Sequence, residues 1–128
     1  MSAKFFICEH CGNIAYMVVD KGVTPTCCGS PMKELKAGEV EAATEKHIPV
    51  AKKDGNNVVV TVGSVEHPMT AEHYIMWVAL ETDKGIKINS WTPDSKPTVT
   101  IPIPAGANVK AVYAYCNLHG LWKTESIN

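Results

Sequence analysis

Arginine is absent from this 128-residue chain: all 12 basic side chains are lysine, and the formal net charge is only -1. The bidentate contacts that a guanidinium makes with phosphates and base edges are therefore unavailable, which argues against a nucleic-acid partner. Long apolar runs are missing too. No window approaches the roughly 20 apolar residues of a membrane-spanning helix, and the N-terminal run Phe5-Phe6-Ile7 is too short for a signal-peptide core. A cytoplasmic protein with no membrane partner is expected. Internal repeats, low-complexity stretches and a long helical pattern are likewise absent. With 45% apolar and 20% charged residues, the composition is that of an ordinary folded globular protein.

What is present divides into two segments. Residues 1–37 hold four of the five cysteines and three of the nine glycines but few apolar runs. Such a segment cannot build much core, so metal has to supply the missing stability. Strands are expected at 5–7, 16–20 and 33–35, with the cysteine pairs in the intervening turns. From residue 38 onward, β-branched and aromatic runs alternate with turn residues, the pattern of an all-β sandwich or barrel. Strands are expected at 58–62, 74–81, 86–91, 98–103 and 109–115. Thr82-Asp83-Lys84-Gly85 reads as a hairpin loop, and Pro102 and Pro104 suit the end of an edge strand. Residues 38–49 can nucleate a helix by propensity but carry no apolar stripe, so they read as a connector ending in a functional loop.

Cysteine in a reducing compartment points to metal or redox chemistry rather than to disulfides. Cys8-x-x-Cys11 is followed after fifteen residues by the adjacent pair Cys27-Cys28. A disulfide between neighbours is strained, because consecutive Cα atoms lie about 3.8 Å apart whereas disulfides prefer roughly 4.4–6.8 Å. A single metal accepts both thiolates more easily. A structural zinc ribbon satisfies the spacing, since zinc and iron both take four thiolates. The adjacent second pair is the departure from that pattern, and Cys-x-x-Cys followed by Cys-Cys-Gly resembles desulforedoxin and the N-terminal domain of the desulfoferrodoxin family, in which the metal is a rubredoxin-like iron.

One cysteine, Cys116, and four histidines, His47, His67, His73 and His119, remain in the second segment. Each histidine alone is more often a surface or hydrogen-bonded residue than a ligand, and a lone cysteine is usually a small buried hydrophobe. Together they fall in three loop-like places beside expected strands, and loops at one end of a sandwich can converge on one centre. Four neutral imidazoles and a thiolate suit a borderline transition metal. Five protein ligands on an octahedral ion leave one position for a substrate.

Glu45-Lys46-His47-x-Pro49, His67-Pro68-Met69, Glu72-His73-Tyr74-Ile75 and Cys116-Asn117-x-His119-Gly120-x-Trp122 look like the complete motif set of superoxide reductase, in order along residues 38–128. With the four-cysteine segment in front, nearly the whole chain resembles the desulfoferrodoxin family of two-iron superoxide reductases. The resemblance implies a mainly β protein: a small desulforedoxin-like metal domain over residues 1–37, then an immunoglobulin-like β-sandwich over residues 38–128. It also implies a homodimer and two iron ions per chain. One iron would be held by Cys8, Cys11, Cys27 and Cys28. The other would be the catalytic iron, with His47, His67, His73 and His119 equatorial and Cys116 axial.

The activity so implied is one-electron reduction of superoxide to hydrogen peroxide, with an external donor, rubredoxin or a similar small protein, restoring the centre. Lys46, next to a ligand, would attract the anion and help organise water for protonation, and Glu45 resembles the family carboxylate that occupies the vacant position of resting ferric iron. Outside the motif, both would read as a solvated charge pair. His10 reads as an exposed loop residue, and Trp77, Trp91, Trp122 and Tyr115 as core packing. A non-catalytic electron carrier with a structural second metal and a zinc-ribbon interaction module are the competing expectations.

Overall fold

The computed structural model describes residues 3–39 and 44–127, with the side chains of Thr44 and Glu45 excluded. The chain forms two compact units, Met1–Lys36 and Ala37–Asn128. Among the described residues, no helix is long and apolar enough to cross a membrane.

In the first unit, β1 (Phe5–Ile7) lies between β2 (Ile14–Tyr16) and β5 (Lys33–Leu35) in an antiparallel sheet. A separate hairpin joins β3 (Thr26–Cys27) to β4 (Ser30–Pro31). Among the described residues its apolar packing is limited: one cluster of Phe6, Cys8 and Met32, with Met17 and Cys27 packed against them, and Phe5 buried beside Tyr16. So few side chains cannot offset the conformational entropy lost in ordering the unit, and the case for a metal staple stands on packing as well as on composition.

The strand expected at 16–20 is displaced toward the N-terminus. Phe5 pairs with Tyr16, and after the bond from the Met17 amide to the Lys4 carbonyl the second strand has no further partner on β1. Val18 and Val19, which gave the segment its strand character, are 80% and 64% exposed. Asp20 instead makes a turn, accepting from the Gly22 amide at 2.8 Å and pairing with Lys4 at 3.0 Å.

The second unit is an antiparallel β-sandwich, the immunoglobulin-like class that the family resemblance implied. One sheet has the order β10 (Thr98–Pro102), β7 (Asn57–Val62), β6 (Pro49–Asp54). The other runs β12 (Gly120–Thr124), β11 (Val109–Cys116), β8 (Ile75–Thr82), β9 (Gly85–Ser90). Along β7, Val58, Val60 and Val62 are buried while the residues between them are not, the period of two that puts alternate side chains on one face. They meet Val78, Leu80, Val112 and Ala114 of the opposing sheet in a single core. Each of the valine and leucine side chains among them, fully buried, contributes about 1.5–3 kcal/mol.

Two strands of this sandwich go beyond the sequence expectations. β6 carries Lys52 and Lys53, which mask its alternation, and β12 lies inside the Gly120-x-Trp122 motif. The hairpin at Thr82 to Gly85 forms as expected, with those two residues paired, and Pro102 ends an edge strand. The connector holds one helical turn, α1 (Thr44–His47), rather than loop alone. Trp77, Trp91, Trp122 and Tyr115 are all buried, as expected for packing residues.

Candidate metal centres

Chain reversals deliver the four thiols of the first unit. Cys8 directly follows β1, and a turn closed by the Gly12 amide on the Cys8 carbonyl at 2.8 Å brings Cys11 back beside it. Cys27 and Ser30 are paired across β3 and β4, so Cys28 and Gly29 form a two-residue hairpin loop, with φ of 53° and 74°. Two successive positive φ values are the mark of a type I′ turn, which favours glycine or asparagine. A cysteine held there is strained, and such strain collects where a side chain has a task. The adjacent pair thus solves a geometric problem: a tight turn aims Cys27 and Cys28 at one point.

The Sγ atoms of Cys8, Cys11, Cys27 and Cys28 lie within 4.8 Å of one another, and Cys11 and Cys27 approach to 3.6 Å. Amide donors converge on the sulfurs: Cys11 N–H on Cys8 Sγ at 3.4 Å, Asn13 N–H on Cys11 Sγ at 3.5 Å, and Asn13 Nδ2 on Cys27 Sγ at 3.7 Å. The Cys11 amide leads in lowering Cys8 to about 6, whereas contact with Cys11 and then Cys8 pushes Cys28 up to about 12. Four thiols so divided cannot all ionise near neutral pH unless a cation sits among them, and this donor set fits a thiophilic metal. His10 is exposed, as expected of a loop residue. Asn13 had no motif to mark it in the sequence.

The second cluster forms where β11, β8 and the connector meet. Cys116 and Gly120 are paired at the end of the β11–β12 hairpin, leaving Asn117, Leu118 and His119 as a three-residue loop. Gly120 closes it at φ 78°, a left-handed position that explains the glycine of the motif. On the other side of β11 the register slips, from Tyr115 opposite Trp77 to Cys116 opposite Ile75. That bulge at Met76 turns Ile75, which has no exposed surface, into the core beside Cys116. His47 arrives from α1, His67 from the loop after β7, where its amide bonds the Val62 carbonyl at 3.0 Å, and His73 from the Thr70 turn before β8.

Four imidazoles consequently stand in a ring. Neighbouring centroids are 4.7 Å apart for His47 and His67, 4.6 Å for His67 and His73, 5.1 Å for His73 and His119, and 4.8 Å for His119 and His47. Each neighbour stands at 78–89° to the next, while His47 and His73 face each other across 6.2 Å. Donor atoms of His47, His67, His73 and Cys116 lie within 4.8 Å of one another. His119 turns Nδ1 inward, 3.1 Å from His47 Nε2 and 3.8 Å from Cys116 Sγ. The structure therefore brings together all five residues expected from the sequence.

The chemistry of this ring fits a metal ion. His67 donates its Nδ1 hydrogen to the Pro68 carbonyl at 2.7 Å, so its Nε2 lone pair points at His47 Nε2, 3.2 Å away. Burial, foremost, lowers His67 to about 4, which keeps the ring neutral and able to donate to a metal. His73 Nε2 is buried with no hydrogen-bond partner. Cys116 is wholly buried, and burial pushes its thiol up while the amides of Leu118 and His119 pull it down. A buried polar atom without a partner costs about 1–3 kcal/mol; a cation among the five donors removes that cost for His73 and offsets the burial of the thiolate's charge.

Trp122 does more than pack. Its ring lies 5.1 Å from His47, and its Nε1 hydrogen goes to the His119 carbonyl at 3.0 Å, bracing two members of the ring. Lys46 is half-buried, and its charge contributes, after burial, His119 and His47, to lowering His73. The side chain of Glu45 lies outside the described residues.

Known proteins resemble this chain in sequence and fold. The sequence profile described as Desulfoferrodoxin matches residues 39–125. The chain is 42% identical over 124 residues to the desulfoferrodoxin of Nitratidesulfovibrio vulgaris, covering 96% of each, and 40% identical over 123 residues to that of Clostridium acetobutylicum, covering 95% of each. It superposes on the crystal structure of the superoxide reductase from Treponema pallidum with a TM-score of 0.81 at 40% identity, over 97% of this chain and 99% of that one. With two donor clusters, a sandwich of matching architecture and relatives that span almost its full length, the chain belongs to the desulfoferrodoxin family.

Proposed function

We propose that this chain is a superoxide reductase. It reduces superoxide to hydrogen peroxide at an iron held by His47, His67, His73, His119 and Cys116, with a second iron held by Cys8, Cys11, Cys27 and Cys28. One superoxide, one electron and two protons give one hydrogen peroxide. The observation that carries the reading is the ring of four imidazoles closed on a buried thiol, with His73 and His119 only half-buried. Iron in this ring would supply the single electron, and iron among the four thiols would supply a second one-electron group.

The chain's residues perform the rest. Three buried donors, His47, His67 and Cys116, exclude water from one side of the centre, and the half-exposed His73 and His119 edge leaves an approach for a small anion. Cys116, as thiolate, is the only anionic donor of the five and raises the electron density available for transfer. Lys46 carries a positive charge that reaches His73, so it draws superoxide toward that edge and keeps an ammonium proton close by. Glu45, beside it in the chain, would supply a carboxylate to the oxidised iron. The reading extends to an external donor, rubredoxin or a similar small protein, to a homodimer and to the cytoplasm.

Product stoichiometry tests the activity. Superoxide generated by pulse radiolysis in the presence of iron-loaded, reduced protein should give one peroxide per superoxide and no dioxygen; dioxygen release would make the protein a dismutase, and no consumption would make it a carrier. Within that assay Lys46→Ile should slow the bimolecular step about tenfold, the low end of electrostatic steering, and flatten its dependence on ionic strength. Glu45 has the wrong sign for steering, so Glu45→Ala should leave the bimolecular step nearly unchanged and alter the ferric absorption spectrum instead.

A further inference from the structure

We propose that Asn117 is a positioning residue that sets the imidazole of His73 against the thiol of Cys116, so that these two donors reach the metal as one preassembled unit. The proposal rests on the reading of both residues as ligands of one ion. Asn117 follows Cys116 directly, and its side chain reaches across to the loop that carries His73. Its Oδ1 accepts the Tyr74 amide hydrogen at 2.9 Å, and its Nδ2 donates to the Glu72 carbonyl at 3.0 Å. Its own amide adds a third bond, to the Tyr74 carbonyl at 3.2 Å. The residues on both sides of His73 are thereby gripped by one side chain.

His73 has particular need of such a grip. His67 is oriented by the Pro68 carbonyl, and His119 sits in a tight hairpin whose carbonyl Trp122 holds. No strand contains His73, since β8 begins at Ile75, and its buried Nε2, the atom left for the metal, has no hydrogen bond that fixes the ring before a metal binds. On its N-terminal side, besides the Asn117 bond to Glu72, the hold among the described residues is the Thr70 turn, in which the His73 amide bonds the Thr70 carbonyl and hydroxyl at 3.2 and 3.1 Å and the Thr70 amide bonds the His73 carbonyl at 2.9 Å. Without the Asn117 side chain, the main-chain bond to the Tyr74 carbonyl and the start of β8 at Ile75 still hold the C-terminal end of the segment, but Glu72 and the Tyr74 amide are released and His73 gains freedom to swing relative to the sulfur.

Asparagine suits the task because its planar amide presents one acceptor and two donor hydrogens. Aspartate keeps the acceptor for Tyr74 but turns a second acceptor toward the Glu72 carbonyl, so it preserves one arm and loses the other. Alanine loses both side-chain arms and keeps only the main-chain bond. A graded response to the two substitutions is therefore the signature of positioning.

The test uses the full-length, iron-loaded protein and its Asn117→Ala and Asn117→Asp variants. Iron release from the histidine–cysteine site to a ferrous chelator is followed separately from release by the four thiols, together with the ferric absorption and electron paramagnetic resonance spectra. Release should accelerate about 10–100-fold in Asn117→Ala, the range for loss of a residue that orients a ligand, and by an intermediate factor in Asn117→Asp. The ferric resonance should change shape in the same order, and release from the four-thiol site should stay at its original rate. Wild-type release with an unchanged ferric spectrum in both variants would overturn the proposal, as would equal loss of both irons, which is the mark of general destabilisation. Should Asn117→Ala not fold, Asn117→Asp against wild type carries the same comparison. A wild-type protein that bound iron but failed to reduce superoxide would end the functional reading and leave this comparison standing; one that bound no metal at the site would end both.

Discussion

Cys116→Ser should lose superoxide reduction by on the order of a hundredfold or more, since even outer-shell changes at metal sites cost about 10–100-fold. Serine is close in size to cysteine, and Cys116 is fully buried at the end of a hairpin in the sandwich core, so the fold should survive. The chemistry changes instead. A hydroxyl is a hard, weak donor that stays protonated where a thiol ionises, and its introduction removes the one anionic donor among four neutral imidazoles. The Leu118 and His119 amides, which pull the Cys116 thiol down against the effect of burial, would then have no thiolate to stabilise. Metal content and the pulse-radiolysis rate, measured on the same sample, decide the matter: a variant that keeps its iron and reacts at the original rate would remove the thiolate from the mechanism.

Cys28→Ser should empty the first unit of metal and unfold it while leaving the second unit active. In a unit with an apolar cluster as small as Phe6, Cys8 and Met32, metal-binding energy is folding energy, as in other small metal-stapled domains, where it reaches about 10–16 kcal/mol. The hairpin at Cys28 depends on that metal most directly, because a non-glycine residue at φ 53° needs an outside reason to remain there. The sandwich has its own core and shares no ligand with the four-cysteine cluster. Iron per chain should fall from two to one, amide exchange across β1, β2 and β5 should approach that of an unfolded chain, and superoxide reduction with an artificial donor should persist. Loss of the histidine-site iron in the same variant would overturn the assignment of two separate centres.

Much of this was readable in residues 1–128 alone, because donor chemistry is a property of residue type and strand alternation is a property of local order. Valines at every second position of β7 announce a face, and a glycine after Cys-Asn-x-His announces a tight turn. Local pattern fails where partners decide. Residues 16–20 have strand-forming side chains but run past the end of β1, and β6 is a strand despite its lysines because β7 lies beside it. The motifs named all nine candidate metal donors without saying which atom of each faces the centre. That was settled by contacts spanning up to 72 positions: His119 turns Nδ1 toward His47, and His67 gives Nδ1 to Pro68 and keeps Nε2 free. Ring orientation depends on hydrogen bonds from other segments, such as those of Trp122 and Asn117, and these exist only once the sheets have packed. The sequence by itself therefore determined the donors and the class of fold, and tertiary structure decided their arrangement around a common point.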